Sequence, residues 1–422
     1  MMKRSRWDSS DEEDDAPTAR GAAASRRGKD AAAAEDAGEE GAEGATPANG
    51  STPPALEDEA DDSMIAARRA GHHAGTSFTG RRMPVLAGCR SIDCYERLNK
   101  IDEGTYGVVW RCRERVTGEI VALKQLKVLE GQEGFPITSL REINILLALE
   151  HPNVINVREV VTGGRADLIF MVMDFMESDL KACMTKRREP LMPSEVKSLL
   201  QQLLRATAYM HEHWIIHRDL KASNLLFSSK GVLTVCDFGM ARKYGEPVKK
   251  MSSAVVTLWY RAPELLLGAE LYSPAVDIWS VGCIFAEIMN LKPLLPGQGE
   301  IDQIERIFKL LGTPSEKIWP GYSELRNVKN MSWRNYPYNR LTEMFRKPSF
   351  AGGPAPLTDS GLDLLSAMLT YDPERRISAK DALAHPYFSE DPQPMPDSLM
   401  ASAFKDAFRA RRSSRPAPPS SP

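Results

Sequence analysis

The run His217-Arg218-Asp219-Leu220-Lys221-Ala222-Ser223-Asn224 crowds a carboxylate, a cation and an amide together, and Asp237-Phe238-Gly239 follows 18 residues after Asp219. Asn224 and Asp237 offer hard oxygens of the kind Mg²⁺ prefers. Asp219 can accept a proton from a hydroxyl, and Lys221 can neutralise charge on a phosphoryl group in transfer. Ala262-Pro263-Glu264 follows in the same order that phosphoryl-transfer chemistry uses. Upstream, Lys124 ends the apolar run Val121-Ala122-Leu123. A lysine inside such a strand is costly to bury unless paired, and the alternative is an edge lysine snorkelling to water. Glu142 is the available partner. Its rival role is a capping box with Ser139, but Pro136 and the apolar period from Ile137 start the helix earlier. Between two expected strands lies Ile101-Asp102-Glu103-Gly104-Thr105-Tyr106-Gly107-Val108-Val109. Its glycines would let backbone N–H groups approach phosphates, although an ordinary hairpin turn would show the same two glycines.

These residues need elements to hold them. Residues 95–125 read as strands, with Val108, Val109 and Trp110 after the Gly-containing bend and Ile120 to Leu123 after the turn Thr117-Gly118. Residues 136–150 carry helical spacing, with Ile137, Leu140, Ile143 and Leu147 along one face. Leu168 to Phe175 is a strand. The segments 194–213, 274–290 and 301–311 have apolar residues three and four apart and read as helices. A small strand-rich part before a larger helical part predicts an α+β fold of two lobes with a cleft.

The 422 residues carry 54 Lys and Arg against 57 Asp and Glu, net −3. That balance gives no support for a general nucleic-acid or membrane-surface binder. The six cysteines are scattered without Cys-x-x-Cys spacing, against both a disulfide framework and a zinc module. There is no run of about 18 apolar residues to span a membrane, and no signal-peptide core follows Met1, so a reducing intracellular compartment fits. Residues 1–90 hold 12 basic and 17 acidic residues with only Trp7 and Phe78 as aromatics. Such a segment cannot offset an ordering entropy of about 1–2 kcal/mol per residue, so it is expected to be a disordered acidic, Ala/Gly-rich tail. Residues 389–422, rich in Pro, Ser and Arg, read as a second flexible tail.

With the motifs assembled, residues 95–388 resemble a eukaryotic protein kinase of the cyclin-dependent class, in the CMGC group of serine/threonine kinases. Residues 136–142, Pro-Ile-Thr-Ser-Leu-Arg-Glu, spell in one-letter code the name of the PITSLRE kinases, which the chain resembles within that class. Leu311 to Leu325 is similar to the C-lobe insert of the same group, and Lys221 matches the serine/threonine pattern. The resemblance implies a bilobal kinase fold, with a β-rich N-lobe over 95–175 and a helical C-lobe over 176–388. It implies ATP and Mg²⁺ as cofactors, Asp219 and Lys221 as catalytic residues, and Asn224 and Asp237 as metal ligands. The nucleotide would lie against residues 101–109, Ala122, Lys124, Glu142, Asp174, Met176 and Leu226, with Met173 as gatekeeper beneath the adenine. Met173 reads equally as core. Cys236 would either face this pocket or lie buried and inert. One departure is plain: Asp102 stands where the usual loop has a glycine, an acidic residue being the PITSLRE habit. Altered loop flexibility is expected, with ATP binding retained.

The same resemblance implies regulation. An activating phosphate from an upstream kinase would sit on Ser252, with Ser253 close by, and meet Arg141, Arg218 and Arg242. Thr105 and Tyr106 match an inhibitory phosphorylation pair. Val255, Val256, Thr257 and Arg261 resemble the platform that favours substrates with Ser-Pro or Thr-Pro. The 136–142 helix resembles the docking element for a cyclin, of L-type by resemblance, which points to transcription, pre-mRNA splicing or cell-cycle control and a nuclear, or also cytoplasmic, location. No direct nucleic-acid or membrane partner is expected. The acidic run from Ser9 to Asp15 reads as a solvating stretch or a phosphorylation site, and the basic clusters at Arg26 to Lys29 and Arg409 to Arg415 are weak import signals. A non-catalytic cyclin-binding scaffold is the alternative, disfavoured by intact Lys124, Asp219, Asn224 and Asp237. A mitogen-activated-type kinase would carry Thr-x-Tyr where Met251-Ser252-Ser253 stands.

Overall fold

The computed structural model describes residues 88–404, apart from 105–106, 127–135, 165–167, 188, 246–256, 272 and 347–355. The N-lobe is a six-stranded sheet. Its strands are β1 (Arg90–Ser91), β2 (Tyr95–Gly104), β3 (Gly107–Glu114), β4 (Ile120–Leu126), β5 (Val157–Thr162) and β6 (Ile169–Asp174), in the order β1-β5-β6-β4-β3-β2. Gly107 begins β3 with φ 149°, and a Cβ there would lie 2.0 Å from the Gln125 carbonyl oxygen, so the close approach of β3 to β4 demands glycine. β1 pairs parallel with β5, and the Arg90 guanidinium ties it down to Glu159 (Nη2 at 2.5 Å), Glu114 (2.8 Å) and the Tyr95 hydroxyl (2.9 Å). Ile92 is buried beneath it, so packing begins ahead of Tyr95.

One long helix, α1 (Ile137–Ala148), crosses between β4 and β5, with Pro136 at its N-cap as the sequence suggested. Its orientation differs from what the apolar period implies. Glu142, Ile145 and Leu146 are buried, whereas Ile137, Leu140 and Leu147 are exposed at 70%, 37% and 53%. Periodicity shows that residues share a face; it does not say which way the face looks.

The C-lobe begins with β7 (Ser178–Asp179) and α2 (Leu180–Lys186), whose N-terminus is capped by the Asp179 carboxylate accepting from the Ala182 N–H at 2.7 Å. Then come α3 (Pro193–Glu212), β8 (Ile215–Ile216), β9 (Leu225–Phe227), β10 (Leu233–Val235), β11 (Arg242–Lys243), α4 (Pro263–Leu266), α5 (Ala275–Asn290) and α6 (Glu300–Leu311). Every residue of α5 from Val276 to Met289 is buried, which makes this helix the lobe's centre. Under its start, Arg376 forms a buried bidentate pair with Glu264 at 2.7 and 2.9 Å and donates to the Ala275 carbonyl.

Residues beyond Ser389, read above as flexible, pack as far as Phe404. The Met395 N–H bonds the Ser194 carbonyl at 2.9 Å, Met400 and Phe404 are buried, and the Phe404 ring meets Phe227 edge-on at 5.1 Å. Two well-spaced apolar residues anchor an otherwise polar run that composition alone marks as loose. Among the described residues no helix is long and apolar enough to cross a membrane.

Candidate active site

The functional side chains meet in a cleft of about 450 Å³. Its roof comes from β2, β3 and β4 (Ile101, Asp102, Gly107, Val109, Ala122, Lys124), and α1 contributes Glu142. The end of β6 supplies Met173 and Asp174, the linker after it Phe175 and Met176, and the C-lobe Asp179, Asn224, Leu226, Cys236 and Asp237. Thus most residues singled out for the nucleotide and the metal converge, while Asp219 and Lys221 are not part of this lining and lie on the loop that leads to Asn224. Glu103 and Val108 do not line the cleft. They pair with each other across β2 and β3, one step from the Asp102–Val109 pair, and strand alternation turns them to the opposite face. Gly104 pairs with Gly107 at the hairpin's end, while Thr105 and Tyr106 lie outside the described residues.

Lys124 is nearly buried and is paired as expected, its Nζ 2.6 Å from Glu142 Oε1 and 3.9 Å from Asp237 Oδ1. Burial works against the ammonium, but the two carboxylates outweigh it and hold Lys124 charged, above its ordinary pKa. Asp237 adopts φ 64°, a left-handed backbone that carries the chain into the turn Phe238–Met240, against which α1 packs. Its Oδ1 is buried and has no hydrogen-bond partner among the described residues. A buried carboxylate oxygen without a hydrogen bond, in the same cleft as Asn224, suits a cation ligand. No group of three or more His, Cys, Asp or Glu side chains among the described residues could hold a metal unaided.

The loop bearing Asp219 hangs from α5. The Asp277 carboxylate accepts the His217 and Arg218 backbone N–H groups, each at 2.9 Å, and lies 3.0 Å from His211 Nε2. These bonds support Arg218 at φ 66°. Burial alone would raise the Asp277 pKa, but His211 and the surrounding donors outweigh it and lower the value. His217 Nδ1 accepts the Asp219 N–H at 3.2 Å, so its Nε2 is the protonated nitrogen and donates to the Cys236 carbonyl at 3.0 Å. Asp219 is then held on both oxygens. Oδ2 takes Lys221 Nζ at 2.7 Å and Asn224 Nδ2 at 3.1 Å; Oδ1 takes Thr257 Oγ1 at 3.0 Å and the Thr257 N–H at 3.1 Å. Sequence reasoning gave Thr257 a place in the substrate platform and missed its bond to Asp219. It also missed Asp277, Asp179 and Phe175, none of which stands in the short motifs.

Cys236 touches the cleft, and burial pushes its thiol well above its ordinary pKa, so it sits there as an unreactive neutral group. Of the three arginines expected to meet a phosphate, Arg218 and Arg242 reach one turn, bonding the Met240 and Ala241 carbonyls respectively, each at 2.8 Å. Arg141 is half-buried on α1. Ser252 and Ser253, with Val255 and Val256, lie outside the described residues.

Comparison with known proteins agrees with this geometry. The protein kinase domain family matches residues 95–388. Over 339 residues the chain is 54% identical to Cyclin-dependent kinase 11B of Homo sapiens, covering 80% of this chain and 42% of that protein. It is 52% identical to Cyclin-dependent kinase 11B of Rattus norvegicus, covering 80% of this chain and 76% of the relative. Against Serine/threonine-protein kinase PITSLRE of Drosophila melanogaster it is 53% identical over 348 residues, covering 80% of this chain and 36% of the relative. The chain thus spans less than half the length of the human and fly relatives. With the cleft, the Lys124–Glu142 pair and these matches together, the chain belongs to the protein kinase family and, within it, to the cyclin-dependent kinases of the PITSLRE type.

Proposed function

We propose that this chain is a cyclin-dependent serine/threonine protein kinase, transferring the γ-phosphoryl of Mg-ATP to Ser or Thr hydroxyls of protein substrates. The observation that carries this reading is the closed Lys124–Glu142 pair facing Asp237 across the cleft. The adenine meets backbone groups of Asp174 and Met176 beneath Met173, and Lys124 holds the α- and β-phosphates. Asn224 and Asp237 would hold Mg²⁺, which supplies charge neutralisation among the phosphate oxygens when bound. The acceptor oxygen forms its bond to the γ-phosphorus as the bond to the β-phosphate oxygen breaks, and ADP leaves. The hydroxyl proton passes to Asp219, which Thr257 and Asn224 orient, while Lys221 offsets charge on the moving group.

The outward apolar row Ile137, Leu140 and Leu147 supports cyclin docking on α1, with an L-type cyclin as the family's habit. Proline-directed substrates, an activating phosphate on Ser252, inhibition at Thr105 and Tyr106, and a nuclear role complete the proposal. The test is Mg-ATP-dependent phosphorylation of Ser-Pro peptides with and without L-type cyclin. Asp219→Asn should lose at least about 1,000-fold in turnover while keeping ATP and cyclin binding. Near-normal activity in that variant would remove Asp219 from its assigned role.

A further inference from the structure

We infer that Asp102 acts as a charge filter on the cleft roof, penalising nucleotides by their net negative charge and so selecting those that carry their divalent cation. This deepens the kinase reading and rests on ATP binding in the cleft. The cross-strand register sets Asp102, Val109 and Lys124 in one row, Asp102 opposite Val109 and Val109 opposite Lys124. Residues in such a row share a sheet face, and adjacent strands lie about 4.8 Å apart, so Asp102 stands about 10 Å along the roof from Lys124. All three line the cleft.

The charges around the cleft are lopsided. Among the described lining residues, Lys124 is the only cation, against the carboxylates of Asp102, Glu142, Asp174, Asp179 and Asp237. Four of these are compensated. Glu142 and Asp237 face Lys124, Asp174 pairs with Arg158 at 2.6 Å, and Asp179 caps the positive end of α2. Asp102 has no cationic partner among the described residues. Its Oδ1 accepts a single N–H, that of Glu103, at 2.9 Å, and the neighbouring Lys100 is engaged by Glu103 instead. An uncompensated carboxylate on the face that receives a triphosphate repels it, and repulsion scales with the ligand's charge.

The test is binding, by calorimetry, of adenosine, Mg-ATP and metal-free ATP to the full chain and to Asp102→Asn, which keeps the shape and the acceptor oxygen. Affinity should rise about tenfold for metal-free ATP and about threefold for Mg-ATP, and stay within about 1.5-fold for adenosine. The ATP gains should shrink toward one in 0.5 M salt. Asp102→Gly should reproduce the same order. If all three ligands shift by a common factor, the residue acts through loop shape and the inference is overturned, as it is if none shifts. If adenosine binds but ATP binds neither protein, the nucleotide assignment itself fails.

Discussion

Two helices, α1 and α5, hold residues of the site and are built on opposite plans. In α5 the residues from Val276 to Met289 are all buried, and its first turn carries Asp277, which grips the Asp219 loop. In α1 the buried set is only Glu142, Ile145 and Leu146, while Ile137, Leu140 and Leu147 face water. The C-lobe helix is complete within the chain, so the loop it holds is fixed by the fold. Among the described residues the buried side chains of the N-lobe helix are one ion-paired carboxylate and two apolar groups, so its position is open to bias by whatever covers its outer face. The residues proposed for proton transfer therefore sit on a rigid base, and the residue that pairs with Lys124 sits on an adjustable one.

The sharpest way to break this contrast is beneath α5. Arg376→Ala would leave Glu264 buried and unpaired and remove the guanidinium from over the Trp279 ring. Removing one partner of such a pair should cost about 3–5 kcal/mol, read by denaturant unfolding. A loss under about 1 kcal/mol would mean that the C-lobe base is less rigid than its burial implies.

Acid probes the same base more gently. The folded pKa of Asp277 is depressed, so its stabilising contribution is present above its unfolded value, near about pH 4, and is lost as pH falls through the lower folded value. Asp277→Asn should be less stable at pH 6 by about 1–3 kcal/mol, and the gap to the parent should close in strong acid. A gap independent of pH would assign the loss to shape alone.

The smallest stability effect belongs to α1. Ile137→Ser on the exposed face should change unfolding free energy by less than about 0.5 kcal/mol. Yet it should weaken activation by an added cyclin at least about tenfold, a loss of the size expected for an apolar anchor at an interface centre. A stability loss above about 1 kcal/mol would show that this face packs within the chain after all.

The sequence was most legible where chemistry constrains residue type and order. Lys124, Asn224 and Asp237 are residue types the chemistry demands and the cleft assembles them, with Asp219 bonded to Asn224 beside it. The strand and helix limits followed from period, with β2 to β4 and α3 close to their expected ranges. What stayed hidden depends on contacts between distant residues. Thr257 meets Asp219, and Arg376 meets Glu264, across stretches that no local pattern links. Register also escaped: Asp102 and Glu103 look alike as letters, and only pairing with β3 turns one toward the cleft and the other away.

The packed stretch ending at Phe404 has a consequence for how the chain can be cut or lengthened. The family match ends at residue 388, but a Cβ at Gly231 would strike the Asp397 carbonyl at 1.7 Å, and Arg187 spans Glu195 and the Ala403 carbonyl. The stretch that the family match covers and the unit that folds are thus different lengths. A recombination event or a protease that honours the first and trims the second would bare the Phe227 ring and strip Arg187 of a partner. The same domain stitched into another polypeptide would have to bring these borrowed-looking residues along.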